Sequence, residues 1–243
     1  MILNLGCGSK TASSPDVVNI DWSIYLRART NPLLRLIAPL IFRGDRRTRY
    51  ENQPGNILVH NLAKGIPFPN QSADAIYHSH LLEHLDREVA RSFLVENFRV
   101  LKGGGIIRIV VPDFEMAVRE YLANLDASEH QEECRASHGI FLEGLLEQSV
   151  RREAAGTQQQ PRLRRFIENA LLGDARARGE THQWAYDHVY LSSLLLDIGF
   201  QGIQRRSFDT SGIPGWAHLG LDRDSQGDVY KPKSLYLEAS RPR

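Results

Sequence analysis

The sequence predicts an α/β fold built on a doubly wound, mostly parallel sheet. Short aliphatic segments alternate with helical or irregular segments, and one of them, Ile106–Val111, is an almost continuous β-branched run. Such a run is typical of a parallel strand that is buried on both faces. In addition, the first apolar segment leads straight into a glycine turn, the kind of strand end at which open α/β sheets bind ligands.

The other elements are predicted from the period of the apolar residues and from the turn residues that separate them. An apolar stripe at helical spacing predicts a helix over Leu81–Leu101, closed by the glycines that follow it, and a second helix covers Val189–Ile198. The predicted strands are Ile2–Leu5, Val17–Ile20, Ile57–Val59, Ala73–Ser79, Ile106–Val111, Gln201–Phe208 and Ser234–Ala239, with an antiparallel strand at the C-terminal end.

We predict a single domain over residues 1–243 with two additions to the sheet. Residues 23–56 are rich in arginine around an apolar stretch and indicate an irregular helical flap. Residues 114–180 are charged, glutamine-rich in part and without strand signal, which favours a helical lid. Because the first strand starts at Ile2, we expect the flap and the lid to close the pocket at the glycine turn.

The composition argues against several classes of function. Lysine and arginine total 30 against 29 for aspartate and glutamate, so no global field attracts nucleic acid, and we expect no nucleic-acid partner. The longest apolar run is too short for a transmembrane segment, although the basic flap suits peripheral contact with a membrane or an acidic substrate as well as a solvated lid helix. Two cysteines and no secretory layout favour the cytoplasm.

The turn Gly6-Cys7-Gly8 is the first candidate binding site. Two residues without side chains let the backbone bend sharply and approach a ligand closely, and we expect a helix to follow whose N-terminal amides receive an anion. Asp21, at the tip of the next strand, is placed to accept hydrogen bonds from an adenosine ribose, although it also suits a helix N-cap. A nicotinamide cofactor normally requires a third glycine, and that position is Thr11.

Seven short segments together resemble the predicted S-adenosylmethionine (SAM) dependent methyltransferases of the class I, type-11 superfamily, and Gly103 replaces the proline usual there. They occur in the expected order and cover the core sheet and much of the C-terminal part. These segments are 3–10 (LNLGCGSK), 18–21 (VNID), 65–68 (GIPF), 79–85 (SHLLEHL), 99–105 (RVLKGGG), 111–113 (VPD) and 182–187 (HQWAYD).

The resemblance implies a Rossmann-like sheet and SAM as the cofactor. It also implies that an aspartate before Leu62 binds the adenine amino group. This chain has Asn61 there, whose carbonyl oxygen can still accept the bond. The predicted cofactor contacts are Leu5, Gly6, Cys7, Gly8, Asp21, Trp22, Asn61, Leu62 and His80.

For the reaction, we expect transfer of a methyl group to a small-molecule or saccharide acceptor at oxygen, with a general base within hydrogen-bond reach. The candidates are His80, Asp113 and His182, whose positions at strand ends or beside the lid bring them to the ligand edge of the sheet. A nicotinamide-linked oxidoreductase and a catalytically silent SAM-binding scaffold are the alternatives.

The run His80-Leu81-Leu82-Glu83-His84 also matches the inverted zinc-peptidase pattern, in which two histidines on one helix face bind zinc. We expect no metal here, because the same segment fits the methyltransferase pattern and no third ligand helix is obvious. Glu83 and His84 are instead predicted to cap and orient the start of the following helix.

Overall fold

The computed structural model describes residues 1–150 and 181–243, and these residues form one seven-stranded sheet with helices packed against it. The sheet order is β3-β2-β1-β4-β5-β7-β6. β1 to β5 run parallel, whereas β7 is antiparallel to both of its neighbours. The predicted Rossmann-like α/β fold is therefore confirmed. The strands are β1 Ile2–Leu5, β2 Val17–Asp21, β3 Ile57–Val59, β4 Ala73–Ser79, β5 Leu101–Pro112, β6 Gln201–Arg206 and β7 Ser234–Ser240.

Helices occupy both predicted additions as well as the sheet crossovers. Three of them lie in the flap, and two long ones begin the predicted lid, whose residues 151–180 lie outside the described part of the chain. In chain order the helices are α1 Ile24–Thr30, α2 Pro32–Ile41, α3 Asp45–Glu51, α4 Arg87–Val100, α5 Phe114–His130, α6 Glu132–Val150, α7 His188–Ile198 and α8 Trp216–Leu219.

Two predicted boundaries are wrong. The amphipathic helix α4 begins at Arg87, with Asp86 at the N-cap position, because the predicted start forms a separate 3-10 helix over Leu82–His84. The glycines at 103–105, predicted to close that helix as a turn, belong to β5, whose pairing with β4 is irregular between Ala73 and Ala75. Because these glycines have no side chains, the strand can pass close to the C-terminal backbone. The Gly104 amide donates to Arg241 O there.

The main core fills the space between the sheet and helices α4 and α7. Leu3, Leu5 and Ile20 of the first two strands meet Leu94 of α4 and Leu191 of α7, and all five side chains are fully buried. The alternation of side chains along each strand puts these residues on the helix-covered face. This packing fixes where the carboxyl ends of the strands lie.

His78 lies near the carboxyl end of β4. Its side chain is completely buried against the Phe93 ring, at 5.3 Å between centroids, and neither ring nitrogen has a hydrogen-bond partner among the described residues. Burial lowers the pKa of His78 to about 4, against a smaller opposing effect of the Glu83 charge. The imidazole is therefore neutral in the folded protein at neutral pH.

We expect His78 to make the folded protein sensitive to mild acid. Below the ordinary histidine pKa of about 6.5 the unfolded chain binds a proton that the folded chain does not, so stability falls as the pH drops towards 4. Between pH 7.5 and pH 5 the wild type should lose about 2 kcal/mol of unfolding free energy more than His78→Leu. Urea unfolding at both pH values measures this difference, and equal losses in the two proteins would refute the assignment.

The flap forms a small core of its own. Ala28, Ala38 and Phe42 are buried there, and the Phe42 ring packs at a tilt against the rings of Tyr25 and Tyr50. The opposite face of α2 presents large aliphatic side chains to solvent. These are Leu33, Leu36, Ile37 and Ile41, the first two more than 70% exposed.

Contact of this face with a membrane surface or an acidic substrate stays a prediction. No helix in the described ranges is long and apolar enough to span a bilayer.

Candidate functional site

The chain order of the sheet reverses between β1 and β4, and a cavity of about 220 Å³ opens at their carboxyl ends. Such a switch point is where open α/β sheets bind ligands. The cavity brings the glycine turn after β1 together with His80, which follows β4 directly. Its lining includes Gly6, Cys7, Gly8, Lys10, His80 and Lys231.

The glycine turn has the backbone conformation that glycine favours. Gly6 and Gly8 have φ angles of +63° and +54°, in the left-handed region. The Gly6 amide donates to Ile20 O at 2.8 Å, and the Gly8 amide donates to Asp21 Oδ2 at 2.8 Å. Asp21 Oδ1 accepts from Ser23 N at 2.7 Å. Asp21 therefore closes the turn against β2, and each of its oxygens keeps acceptor capacity for a ligand.

The helix expected after the glycine turn does not exist, so the predicted anion site at its N-terminus is wrong. Within the described chain, residues 6–16 connect β1 to β2 without a helix. The cavity instead receives two cationic side chains. Lys10 and Lys231 lie against the same ring, that of Tyr230, with their ammonium groups 4.8 and 5.4 Å from its centroid.

Leu5 and Cys7 are both buried, and of these two only Cys7 lines the cavity. Burial raises the pKa of the Cys7 thiol far above its ordinary value, and the nearby Asp21 charge adds to this. The thiol is therefore protonated at neutral pH and is not a nucleophile.

The other predicted cofactor contacts lie at the ends of β2 and β3 and do not line this cavity. Trp22 is 43% exposed, with the Arg27 guanidinium stacked 5.0 Å from its ring. Asn61 Oδ1 accepts from Ala63 N at 3.0 Å and so caps the 3-10 helix Leu62–Lys64. The Leu62 side chain packs on the main core.

His80 is held at both ring nitrogens. Its φ is +50°, a conformation that is uncommon for residues other than glycine. Nε2 lies 2.9 Å from Ser234 Oγ at the start of β7, and Nδ1 lies 3.2 Å from Glu83 Oε1. The ring thus connects the cavity at the glycine turn with a buried carboxylate.

A second cavity, of about 240 Å³, lies on the other side of Glu83. It is bounded by the 3-10 helix after β4, the end of β5, helices α5 and α6, and the segment before α7. Its lining includes Glu83, Asp113, His182, Trp184, Tyr186 and Lys233. The two cavities are therefore neighbours, and His80 and Glu83 lie between them.

The predicted catalytic residues Asp113 and His182 face this second cavity rather than the first. Asp113 is the N-cap of α5: its Oδ1 accepts from Met116 N, and Oδ2 pairs with Arg205 at 3.3 Å. The His182 ring stands edge-on to that of His84, at 4.8 Å between centroids. The three candidates thus form one region but do not converge on one atom.

Glu83 and His84 do not cap helix α4, contrary to the prediction. The side chain of Glu83 is only 1% exposed and points towards His80 and His84. Burial alone would raise the pKa of this carboxyl, but the contact with His80 and the charges of both histidines outweigh it, so the pKa lies below its ordinary value. Glu83 is therefore a buried carboxylate.

No motif in the sequence marks Lys231, Lys233 and Ser234, which follow the C-terminal loop and join β7 to both cavities. Their positions depend on the antiparallel return of β7 beside β5, which no local motif encodes. Glu83 carried a signal, since it lies inside the His80–His84 pattern, but its burial did not follow from the pattern.

Residues 41–109, from the end of α2 into β5, match the family model described as a methyltransferase domain. This match covers 69 of the 243 residues and supports the predicted methyltransferase with SAM as its cofactor. The class I family and the roles of individual site residues stay predictions. The comparison with curated proteins found no match.

Solved structures of methyltransferases are also similar to this one. A SAM-dependent methyltransferase of Thermotoga maritima is 13% identical, with 99% of this chain and 81% of that chain covered and a TM-score of 0.43. One from Archaeoglobus fulgidus is 13% identical, with 99% and 85% covered and a TM-score of 0.42.

Proposed function

We propose that this methyltransferase transfers the methyl group of SAM to a hydroxyl of a small-molecule or saccharide acceptor. The observation that carries the proposal is the pair of adjacent cavities with His80 and Glu83 between them. A two-substrate reaction of this kind needs two sites that meet at the reacting atoms.

We place SAM in the cavity at the glycine turn. Gly6 and Gly8 let the ligand approach the backbone, and Asp21 accepts hydrogen bonds from the ribose hydroxyls. Lys10 and Lys231 take the role of the missing helix and bind the carboxylate of the methionine part, since both line this cavity. Asn61 Oδ1, which accepts a hydrogen bond from Ala63 N, also accepts one from the adenine amino group. When bound, SAM supplies a methyl group on a positively charged sulfur.

The second cavity has the chemistry of an acceptor site. Trp184 and Tyr186 offer apolar ring faces, while Asp113, His182 and Lys233 offer hydrogen-bonding groups. Aromatic faces against the apolar side of a ring and polar groups at its hydroxyls suit a sugar or a similar small molecule. The cavity has a volume of about 240 Å³.

Among the predicted catalytic residues, we assign the proton acceptor to His80. It borders the cofactor cavity, and Glu83 holds its Nδ1 on the side of the acceptor cavity. As the new carbon–oxygen bond forms, the bond from the methyl carbon to sulfur breaks with its electron pair left on sulfur, and the hydroxyl proton moves to His80. Asp113 is less suitable because it caps α5 and pairs with Arg205.

The test is turnover with labelled SAM on a panel of probes: methyl glucoside, N-acetylglucosamine and catechol as hydroxyl acceptors, and histamine as an amine acceptor. We expect methyl ethers to form. On the best hydroxyl probe, His80→Ala should lower kcat by about 100-fold, the smaller effect typical of losing a general base. Because His80 also lines the cofactor cavity, kcat is measured at saturating SAM.

His218→Ala, an exposed histidine of α8, is the matched control and should retain wild-type turnover. Methylation confined to the amine probe would overturn the proposed acceptor class. Full turnover by His80→Ala would overturn the assignment of the proton acceptor.

A further inference from the structure

Glu83, His84 and His182 form a compact cluster at the edge of the second cavity. One ligand atom from each of them, a carboxylate oxygen and two imidazole nitrogens, lies within 4.8 Å of the other two. Glu83 and His84 come from the 3-10 helix after β4, and His182 comes from the segment before α7. Two imidazoles and a carboxylate are a ligand set that divalent transition metals bind.

The carboxylate of Glu83 is the first argument for a bound cation. Its side chain is 1% exposed, and neither oxygen has a hydrogen bond of good geometry from a described residue. The neighbouring His80 Nδ1 lies 3.2 Å from Oε1 as an ion-pair contact. A buried carboxylate normally requires hydrogen bonds or a cation to offset the loss of water. The observed contacts of Glu83 therefore leave most of its acceptor capacity unused.

The orientation of His84 is the second argument. Its Nδ1 lies 3.2 Å from the carbonyl oxygen of Thr181, which can only accept, so the proton is on Nδ1. The lone pair is then on Nε2, which lies 3.9 Å from Glu83 Oε1. A hydrogen bond from one ring nitrogen to a carbonyl is the usual way in which proteins orient a metal-binding histidine.

The two chain segments that carry the cluster are fixed to each other by the backbone. The amides of Gln183 and Trp184 both donate to the carbonyl oxygen of Glu83, at 2.6 and 3.3 Å. The Gln183 side chain donates in turn to Thr181 Oγ1 at 2.7 Å. His182 is thus held beside Glu83 by its direct neighbours, and the cluster does not depend on chance contacts of long side chains.

We infer that Glu83, His84 and His182 bind a divalent transition-metal ion of the Zn²⁺ class, which the sequence analysis did not predict. Ligand atoms on one zinc lie about 3.3 Å apart, so a rotation of the two imidazoles by roughly an ångström at their tips would close the cluster. The inverted zinc-peptidase pattern predicted His80 as a ligand. Here His80 is turned to Ser234, and His182 takes the third position.

The cluster borders the cavity that we assign to the acceptor, because both Glu83 and His182 line it. Three protein ligands leave at least one position of a zinc ion open, and an oxygen bound there loses its proton more easily. The ion would bind the acceptor hydroxyl. This role, unlike the metal binding itself, rests on the proposed function.

The experiment is a titration of the intact, EDTA-treated and dialysed protein with Co²⁺, followed by visible absorption, and with Zn²⁺, followed by calorimetry. We expect one equivalent to bind. Glu83→Gln, His84→Ala and His182→Ala should each weaken binding by at least about 100-fold, the upper end of what loss of an outer-shell residue costs. His130→Ala, an exposed histidine of α5, is the matched control and should bind as the wild type does.

Circular dichroism and affinity for S-adenosylhomocysteine show whether each variant is folded. Glu83→Gln is the conservative variant, because it keeps the shape of the side chain. Absence of saturable Co²⁺ and Zn²⁺ binding by the wild type would overturn the inference, as would equal affinity in folded variants and control. A protein that binds the metal but methylates no hydroxyl probe would contradict the proposed function and leave the metal site standing.

Discussion

Replacing Arg108 by methionine should destabilise the protein by about 3 to 5 kcal/mol, the usual cost of breaking a buried ion pair. Arg108 lies in the middle of β5 with no exposed surface, and it contacts Asp222 at 2.8 Å and Glu238 at 2.9 Å. Its guanidinium also donates to the carbonyl oxygens of Ser207 and Thr210. The substitution leaves two buried carboxylates, of which only Glu238 keeps another cation among the described residues, Arg206.

The consequence of this loss extends beyond β5, because the same network holds the C-terminal loop on the sheet. Tyr77 and Trp216 both donate to Asp222, and the Trp216 ring lies under the guanidinium at 5.0 Å. Urea unfolding of the intact protein measures the effect. Combining Arg108→Met with Asp222→Asn and Glu238→Gln should recover part of the stability, since it removes the unpaired charges.

Arg119→Met is the control for this prediction. Arg119 pairs with Glu115 on the surface of α5 and is 76% exposed, so its loss should cost less than about 1 kcal/mol. If Arg108→Met also cost less than about 1 kcal/mol, the buried network would not stabilise the fold.

The second large effect concerns the cofactor. We expect Gly6→Val to weaken binding of S-adenosylhomocysteine by at least about 100-fold, equal to about 2.7 kcal/mol. Valine resists the left-handed φ of +63°, and its Cβ would come within 2.9 Å of the Leu81 side chain. The backbone strain and the close contact with Leu81 both displace the turn that lines the cavity. Calorimetry gives the affinity.

Gly220→Val separates general strain from loss of the site. Gly220 has the same φ of +63°, but a Cβ there meets nothing within 4 Å, and Gly220 lines neither described cavity. This variant should lose stability and keep its affinity. Equal loss of affinity in both variants would argue that the effect of Gly6→Val is indirect.

The parts of the site that a short segment encodes could be predicted from the sequence. The glycine turn, Asp21 and the position of His80 follow from residues next to strand ends, and the strand ends follow from local apolar patterns. The helix predicted after the turn, by analogy with other ligand-binding α/β sheets, is wrong. The residues from Lys10 to Asp16 carry no helical apolar period, and the turn satisfies its amides through Ile20 and Asp21 instead.

Features made by distant parts of the chain could not be predicted. Arg108 appears in the sequence as an isolated charge in an apolar strand, and its partners Asp222 and Glu238 are 114 and 130 residues away. The same holds for His182, which reaches His84 only because the segment before α7 docks on Glu83. Burial of His78 depends likewise on the packing of α4, and no pattern within β4 distinguishes it from a surface residue.

The measurement that tests the account most directly is a calorimetric titration of the wild-type protein with S-adenosylhomocysteine and, separately, with NADH. We predict that S-adenosylhomocysteine binds at one equivalent, that Asp21→Ala and Gly6→Val weaken this binding, and that NADH produces no saturable heat. Saturable binding of NADH with none of S-adenosylhomocysteine would contradict the placement of SAM at the glycine turn, as would wild-type affinity in both variants.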